Sequence, residues 1–307
     1  MTAMHPDEVE VDDATVQRLL LAQFPDWARL PRERVRAFGT DHVLYRLGDS
    51  LVARFPRIAW ADGQSALEAT WLPRLAPFLP LEVSAPLALG APEEGYPFSW
   101  SVNPWLEGEQ LDPARVDRTT LALDLAGFVR ALQSCDAGGA GLFGSRGQDL
   151  DDDERDRATR EALSAAADLV DAPAALAVWE AAREADPWRG RPTWFHGDLT
   201  EGNLLVRDGR VCAVLDWGPF GAGDPACELA AAWLLFDPPS RAVFRDALGC
   251  EDATWQRGRG WAVSIAAIAI PYYRTTVPAF ARRGTAMIDA VLGVRSAGER
   301  RGDAAAL

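Results

Sequence analysis

The stretch that decides the fold is Trp194–Glu228, which reads WFHGDLTEGNLLVRDGRVCAVLDWGPFGAGDPACE. Near its middle an Asp-Gly pair, Asp208-Gly209, separates the apolar runs 204–206 and 211–215. An Asp-Gly pair between two such runs is the strongest short-range signal for a β-hairpin, because both residues tolerate the left-handed backbone of a two-residue turn. The sequence therefore predicts a hairpin of two short strands here.

Three polar residues surround the predicted hairpin. Asp198 lies on the loop that leads into it, Asn203 at its start and Asp216 at its end. Carboxylate and amide oxygens are suitable ligands for Mg²⁺, and a carboxylate can also orient a hydroxyl. Phosphoryl transfer needs both tasks, so the stretch predicts a magnesium-dependent site of that kind.

The composition limits the class of protein. A chain of 307 residues is long enough for two lobes, and a formal net charge of −14 disfavours nucleic acid or an anionic membrane as a partner. The sequence has no lysine, so every site that needs a cation must use arginine or histidine. Four cysteines without CxxC spacing indicate a reducing compartment. The acidic N-terminus is unlike a signal peptide, and the longest apolar run, Trp261–Pro271, is too short to span a bilayer. We therefore expect a cytoplasmic protein.

The first third of the chain alternates between strand and helix patterns. A helix is predicted at 11–24, starting at Asp12-Asp13, and another at 62–72, ended or kinked by Pro73. Short strands are predicted at 34–38, 43–47, 51–55, 85–89 and 97–103.

From Asp112 onward the pattern is mostly helical. The acidic run Asp149–Glu154 has two readings: a solvated helix start, where acidic side chains suit the helix dipole, or part of a rim that attracts ammonium groups. Aromatic residues such as Tyr272 and Tyr273 belong either to the core or to a substrate pocket. The apolar periodicity predicts helices at 117–133, 153–170, 173–185, 226–248 and 255–290.

The central motifs resemble those of a known family. HGDLTEGN followed by VLDWG is similar to the catalytic loop and metal-binding motif of the aminoglycoside phosphotransferases, which are small-molecule kinases with the protein-kinase-like fold. Asp198 and Asn203 have the D-x-x-x-x-N spacing, and a D-x-G motif begins at Asp216. The Gly of HGD and the trailing GAGDPA favour this family over protein kinases. The resemblance extends from about Phe38 to about Ala290.

The resemblance implies an α+β, two-lobed protein-kinase-like fold. Residues 1–103 would form a small antiparallel-sheet lobe with one helix that binds the nucleotide. Residues 104–307 would form a larger, mainly helical lobe that carries catalysis and the substrate site.

The resemblance also implies roles for individual residues in the use of ATP and Mg²⁺. Asp198 corresponds to the catalytic base, and Asn203 and Asp216 correspond to the metal ligands. Arg54 stands at the position of the phosphate-binding cation, which is usually lysine, and Glu68 at that of the helix glutamate that pairs with it. A guanidinium is always charged and can bind two phosphate oxygens at once, so Arg54 is chemically suitable.

Three further positions are implied contacts to the nucleotide. Thr40 matches a hydroxyl residue that caps the β-phosphate, although its stretch also reads as an ordinary hairpin turn. Pro104 and Leu106 lie in a segment similar to the hinge that binds adenine through backbone atoms, and the same segment is a plausible interlobe linker. Arg46 and Arg57 are the alternatives to Arg54 as the phosphate-binding cation.

Three residues near the motifs are implied to support them. His196 is expected to pack and hydrogen-bond within the catalytic loop, and Asp224 to tie loops together. Glu228 stands where the family more often has Asp, so its longer side chain is expected to alter any contact made there.

These observations predict an ATP-dependent kinase that phosphorylates a hydroxyl of a small, possibly cationic molecule, with an aminoglycoside-like antibiotic as the leading candidate. The resemblance implies other antibiotics such as macrolides, and metabolites such as choline and homoserine, as alternative acceptors. A catalytically silent nucleotide-binding module is the alternative from another functional class, suggested by Arg54 in place of lysine. The oligomeric state is not predicted.

Overall fold

The computed structural model describes residues 7–35, 41–93, 95–143 and 146–294. In chain order its helices and strands are α1 Asp13–Gln23, β1 Arg32–Arg34, β2 His42–Leu47, β3 Leu51–Pro56, α2 Gln64–Leu75, β4 Glu82–Val83, β5 Ala88–Gly90, β6 Trp100–Pro104, β7 Glu109–Gln110, α3 Arg118–Ser134, α4 Asp153–Ala165, α5 Ala172–Glu184, β8 Thr193–Phe195, β9 Leu204–Arg207, β10 Arg210–Val214, β11 Gly221–Gly223, α6 Ala231–Leu235, α7 Pro238–Leu248, α8 Asp252–Tyr273 and α9 Pro278–Leu292.

By their internal contacts the residues group into two units. The first unit contains Met1–Leu111 and Gly202–Gly218, and the second contains Asp112–Glu201 and Pro219–Leu307. This grouping differs from the predicted division after residue 103 mainly because the hairpin segment belongs with the first unit.

The first unit is built on an antiparallel sheet with the strand order β1-β2-β3-β6-β5. Side chains alternate along each strand, so Ala53 and Phe55 of β3 face the apolar core together with Trp100 and Val102 of β6. A side chain at Gly90 would overlap the Trp100 ring, because an added Cβ would lie 2.0 Å from Trp100 Cε2. Arg54 lies between two core residues in sequence and therefore points to the opposite face.

The two helices of the first unit begin and end close to the predicted bounds. Asp12 caps α1 by accepting the Thr15 N–H at 2.8 Å. Helix α2 begins after Gly63, whose φ of 82° suits glycine, and it continues through Pro73 for two more residues. Pro73 lies in the last turn, where only one helical hydrogen bond is lost. The helix therefore ends at Leu75 and not at Pro73. Most of the strand predicted at 34–38 lies outside the described residues; in the described part, β1 begins at Arg32, two residues before the predicted start.

The predicted hairpin is confirmed. Strands β9 and β10 pair antiparallel around Asp208 and Gly209, with φ values of 53° and 75°. Two successive positive φ angles define the tight turn whose twist matches that of the paired strands. The hairpin belongs to a second sheet with the order β4-β10-β9-β7, in which β4 runs parallel to β10.

The second unit is mainly helical, as predicted. It contains α3 to α9 and a short antiparallel pair of β8 with β11. Asp152 caps α4 by accepting the Arg155 N–H at 2.7 Å, which supports the helix-start reading of the acidic run. The helix predicted from 226 begins instead as a 3-10 helix, Pro225–Ala230. Within the described ranges no helix combines the length and apolar character needed to cross a membrane.

Candidate active site

A buried ion pair lies at the centre of the first unit. Arg54 on β3 donates from its Nη1 atom to Oε2 of Glu68 on α2 at 2.6 Å. The Arg54 side chain is 10% exposed and that of Glu68 is fully buried. Glu68 shares the inward face of α2 with Leu72 and Leu75, at the spacing of successive helical turns. The predicted pairing of these two residues is therefore confirmed.

Asp216 is the second carboxylate beside Arg54. Its Oδ1 atom lies 3.5 Å from Nη2 of Arg54, and its side chain is 36% exposed. Burial alone would lower the pKa of Arg54, but the charges of Glu68 and Asp216 outweigh it and the pKa is raised. Burial raises the pKa of Glu68, with the charge of Arg54 acting in the opposite direction. Arg54 therefore stays charged while facing one partly exposed carboxylate.

Asn203 and Asp216 lie at the two ends of the hairpin, and a backbone hydrogen bond joins these ends. The Leu215 N–H donates to the Asn203 carbonyl at 2.8 Å, which ties the two ends. Asp216 has a φ of 56°, a left-handed conformation that Asp tolerates better than most residues. The following residue, Trp217, is buried and donates from its indole to the Val214 carbonyl at 3.3 Å. Hydrogen bonds of the residues before and after Asp216 therefore fix its backbone position.

The oxygens of Asn203 and Asp216 fit Mg²⁺, which prefers hard oxygen ligands and usually keeps only one or two protein ligands beside phosphates and water. In the part of the chain that the structure describes, no three His, Cys, Asp or Glu side chains are grouped to hold a metal by themselves. A magnesium site at these two residues would therefore be completed by the phosphates of a bound nucleotide.

Asp198 lies in the second unit, on a loop held by Glu228. Glu228 Oε2 accepts the His196 N–H at 2.6 Å, and Oε1 accepts the Gly197 N–H at 3.1 Å. His196 is fully buried, and its Nδ1 accepts the Asp198 N–H at 3.2 Å. Gly197 has a φ of 82°, which favours glycine at this position. The longer side chain of Glu228 thus binds two successive N–H groups directly before Asp198.

The electrostatic state of Glu228 follows from its position. Burial raises its pKa to about 7, the two N–H bonds from His196 and Gly197 oppose that effect, and the charge of Asp198 adds to it. The carboxyl therefore exchanges a proton near neutral pH while it holds the loop.

Asp224 is tied to a residue that the sequence did not indicate. Its carboxylate binds Arg257 of α8 at 2.7 and 3.2 Å, and both side chains are buried. Asp224 also caps the 3-10 helix that follows by accepting the Ala226 N–H at 2.9 Å. The expectation that Asp224 joins loops together is borne out by its N–H, which donates to the Gly147 carbonyl at 3.0 Å, while its carboxylate ties the loop to helix α8.

Arg146 is a second residue that sequence reasoning missed. Its Nε donates to the carbonyl of Gly197, 51 residues later, at 3.3 Å. The charge of Asp198 raises the pKa of Arg146, but burial lowers it more strongly. No sequence signal marked Arg146, because a lone arginine in a glycine-rich segment is ordinarily solvated.

The predicted nucleotide contacts are only partly described. Thr40 lies outside the described residues. Pro104 ends β6, and its carbonyl accepts the Ser84 hydroxyl at 2.9 Å, which leaves one lone pair for another donor. Leu106 is half-buried in the segment that follows. The roles of Pro104 and Leu106 in adenine binding therefore stay predictions.

The two alternative cations are engaged elsewhere. Arg46 pairs with Glu107 at 3.3 Å and stacks on Trp105, with its guanidinium carbon 4.5 Å from the ring centroid. Arg57 lies 3.7 Å from Glu8 and donates to the His42 carbonyl at 3.3 Å. Among the ion pairs of the described residues, none joins Arg46 or Arg57 to a carboxylate of the hairpin or of α2.

Comparison with known proteins points to one family. The sequence model of the phosphotransferase enzyme family matches residues 33–261. No curated protein matches the chain significantly by sequence.

Solved structures support the fold. A GDP and kanamycin complex of an APH(2") enzyme has a TM-score of 0.69 at 16% identity, covering 91% of this chain and 98% of that one. A streptomycin–ATP–APH(2") ternary complex has a TM-score of 0.59 at 14% identity, covering 91% and 99%. The macrolide 2'-phosphotransferase MphH from Brachybacterium faecium has a TM-score of 0.58 at 23% identity, also covering 91% and 99%. The predicted α+β protein-kinase-like fold is thereby confirmed.

Proposed function

The chain belongs to the phosphotransferase enzyme family and is a small-molecule kinase; from this premise we propose that it transfers the γ-phosphate of ATP to a hydroxyl of its acceptor. The observation that carries the proposal is the buried Arg54–Glu68 pair with Asp216 3.5 Å from the guanidinium. Such an arrangement holds a permanent cation in a fixed position beside a carboxylate suited to a metal ion. Both are needed to bind and orient a triphosphate.

In this proposal Arg54 binds phosphate oxygens and is positioned by Glu68. A guanidinium offers parallel N–H donors, so Arg54 can bind two oxygens of one or two phosphates. Asn203 and Asp216 would hold Mg²⁺, which when bound neutralises charge on the phosphates. The hydrogen bond from the Leu215 N–H to the Asn203 carbonyl keeps the two proposed metal ligands at fixed ends of one hairpin.

Asp198 is proposed as the proton acceptor. The acceptor hydroxyl would donate a hydrogen bond to its carboxylate, and the hydroxyl oxygen would attack the γ-phosphorus. As that bond forms, the bond from phosphorus to the bridging oxygen breaks, its electron pair leaves with ADP, and the hydroxyl proton moves to Asp198. The contacts of Glu228 with the loop fix the backbone before Asp198, which supports a role that depends on orientation.

An aminoglycoside-like antibiotic is the first candidate acceptor. The net charge of −14 suits a polycationic ligand, and kanamycin and streptomycin are bound in structures of relatives with the same fold. We also propose a cytoplasmic location, supported by free cysteines at positions 135, 212, 227 and 250.

A macrolide-like acceptor with few positive charges is the second candidate, and one observation favours it. Three carboxylates of the second unit, Glu201, Asp156 and Asp168, are paired with arginines and so attract ammonium groups less. Glu201, on the loop after Asp198, lies 3.3 Å from Arg283. Asp156 binds Arg160 at 2.9 Å, and Asp168 binds Arg274 at 3.1 Å.

Turnover across a panel of acceptors tests the proposal. Purified protein would be incubated with Mg²⁺ and either ATP or GTP, together with aminoglycosides, macrolides, choline and homoserine, and nucleoside diphosphate release would be measured. We expect ATP-dependent transfer to an antibiotic hydroxyl, lost in Asp198→Asn. Nucleotide binding without turnover on any acceptor would reject the kinase proposal in favour of a catalytically silent nucleotide-binding module.

A further inference from the structure

The segment that carries Arg146 packs against β8, the strand that leads into the loop with Asp198. Gly147 has a φ of 73°, and an added Cβ would lie 2.2 Å from Cε1 of Phe195 on β8. The Gly147 carbonyl accepts the Asp224 N–H at 3.0 Å. Only glycine fits this close approach, so the backbone next to Arg146 has a fixed position beside β8.

In the part of the chain that the structure describes, one hydrogen bond holds the side chain of Arg146. Its Nε donates to the Gly197 carbonyl at 3.3 Å, and its Cγ lies 3.3 Å from the position of a Cβ on Gly197. Within the described residues its two terminal amino groups donate no hydrogen bond, and it makes no ion pair within 4.0 Å. The stem of Arg146 is therefore fixed at Gly197, the residue before Asp198. Its two terminal amino groups make no hydrogen bond to the described residues and can donate to a ligand.

Among the described residues no carboxylate lies within 4.0 Å of the guanidinium of Arg146. Burial lowers the pKa of Arg146, and the charge of Asp198 compensates only in part. Burial and the like charge of Arg146 also lower the pKa of Arg155 to about 10. A partly buried cation without a close carboxylate makes a region of positive potential, which suits an anionic ligand.

We propose that Arg146 is a catalytic residue that binds the phosphoryl group during its transfer, through its two terminal amino groups, while its Nε stays on the Gly197 carbonyl. This inference rests on the proposed function. As the bond from phosphorus to the bridging oxygen breaks and its electron pair leaves with ADP, negative charge on the transferred group approaches the carboxylate of Asp198. A forked pair of N–H donors compensates that charge, and it does so most strongly in the transition state.

Three substitutions separate the contacts of Arg146. Gln places its Nε2 where Arg has Nε, so Arg146→Gln can keep the bond to Gly197 while it removes the terminal donors and the positive charge. Arg146→Met keeps the approximate shape of the stem and removes both the bond to Gly197 and the terminal donors. Arg146→Lys keeps a charge without the fork. Arg130→Gln is the matched control, because Arg130 is exposed and makes a single bond to the Ala247 carbonyl at 3.4 Å.

We expect kcat to fall by about 100- to 1,000-fold in Arg146→Gln and Arg146→Met, with the KM values for nucleotide and acceptor nearly unchanged. Arg146→Lys should recover part of the loss, and the control should match wild type. If Arg146 only supported the loop, Arg146→Gln would keep normal kcat, and this result would overturn the proposal. A raised acceptor KM with unchanged kcat would also overturn it, because Arg146 would then bind the acceptor.

A binding measurement separates this inference from the proposed function. MgADP with aluminium fluoride mimics the phosphoryl group in transfer, and its affinity can be measured without an acceptor. We expect Arg146→Gln to weaken binding of this complex by about 100-fold while leaving MgADP binding unchanged. Loss of the analogue's affinity in a protein that phosphorylates none of the acceptors would support Arg146 and reject the proposed function. Equal affinity in wild type and Arg146→Gln, with normal transfer, would overturn the Arg146 inference alone.

Discussion

Replacing Glu228 by Gln should remove one pH-dependent part of the protein's stability. Glu228 accepts the N–H groups of His196 and Gly197, and burial raises its pKa to about 7 from an ordinary value of 4.5. The two N–H bonds act against that increase, and the charge of Asp198 adds to it. Gln has nearly the same shape and does not ionise, so the Glu228→Gln variant lacks this titration.

The sign of the effect follows from proton binding. The folded protein holds the Glu228 proton more tightly than the unfolded chain does, because the pKa is higher in the folded state. The resulting stabilisation is fully present below pH 4.5 and is lost as the pH rises through 7. A difference of about 2.5 between the two pKa values corresponds to about 3 kcal/mol in total, of which about 2.5 kcal/mol is lost between pH 5 and pH 8.

Urea unfolding of both proteins at several pH values from 5 to 8 measures this loss. Other titrating groups are common to both proteins, so the difference in free energy of unfolding isolates Glu228. We expect wild type to lose about 2.5 kcal/mol relative to Glu228→Gln over this range. A constant offset of about 1–3 kcal/mol should accompany it, because the NH₂ group of Gln replaces one of the two oxygens that accept these N–H groups. A difference that stays the same from pH 5 to pH 8 would refute the reasoning.

Three further predictions concern the proposed site. Asp198→Ala should lower turnover by several orders of magnitude and leave nucleotide affinity close to wild type in calorimetric titration; near-normal turnover would remove Asp198 as the proton acceptor. Asp216→Ala should abolish the Mg²⁺-dependent part of nucleotide binding, and an unchanged dependence on Mg²⁺ would contradict its role as a ligand. Glu68→Ala should lower the free energy of unfolding by about 3–5 kcal/mol, because the buried guanidinium of Arg54 loses its nearest carboxylate. Urea unfolding measures this loss, and a value below about 1 kcal/mol would mean that the pair behaves like an exposed one.

Local signals in the sequence were sufficient to predict the hairpin of the first unit and, together with the family resemblance, the pairing of Arg54 with Glu68. The hairpin prediction rested on Asp208 and Gly209, and both residues have the positive φ angles that the turn needs. The pairing of Arg54 with Glu68 followed from the alternation of side chains along a strand, from the helix that follows it, and from the family resemblance. Turn chemistry and periodicity depend on neighbours a few residues away, so a single sequence displays them directly.

Contacts between distant segments carried no such signal. Arg146 binds the carbonyl of Gly197 across 51 residues, and Arg257 pairs with Asp224 across 33. Each arginine has a polar neighbourhood in sequence that would suit an exposed side chain, and only the packing of the fold brings it to its partner. The start of β1 was also predicted two residues too late, since Arg32 and Glu33 show no apolar alternation although they pair with β2.

The guanidinium at position 54 also affects how this enzyme can be detected chemically. Acylating nucleotide probes label kinases by transferring a group to a nearby lysine amine, which must lose its proton to react. Arg54 remains protonated, is 10% exposed and is bound to Glu68, and the sequence offers no lysine elsewhere. Profiling methods based on lysine labelling would therefore leave this enzyme unmarked even when its nucleotide site is fully occupied by the probe.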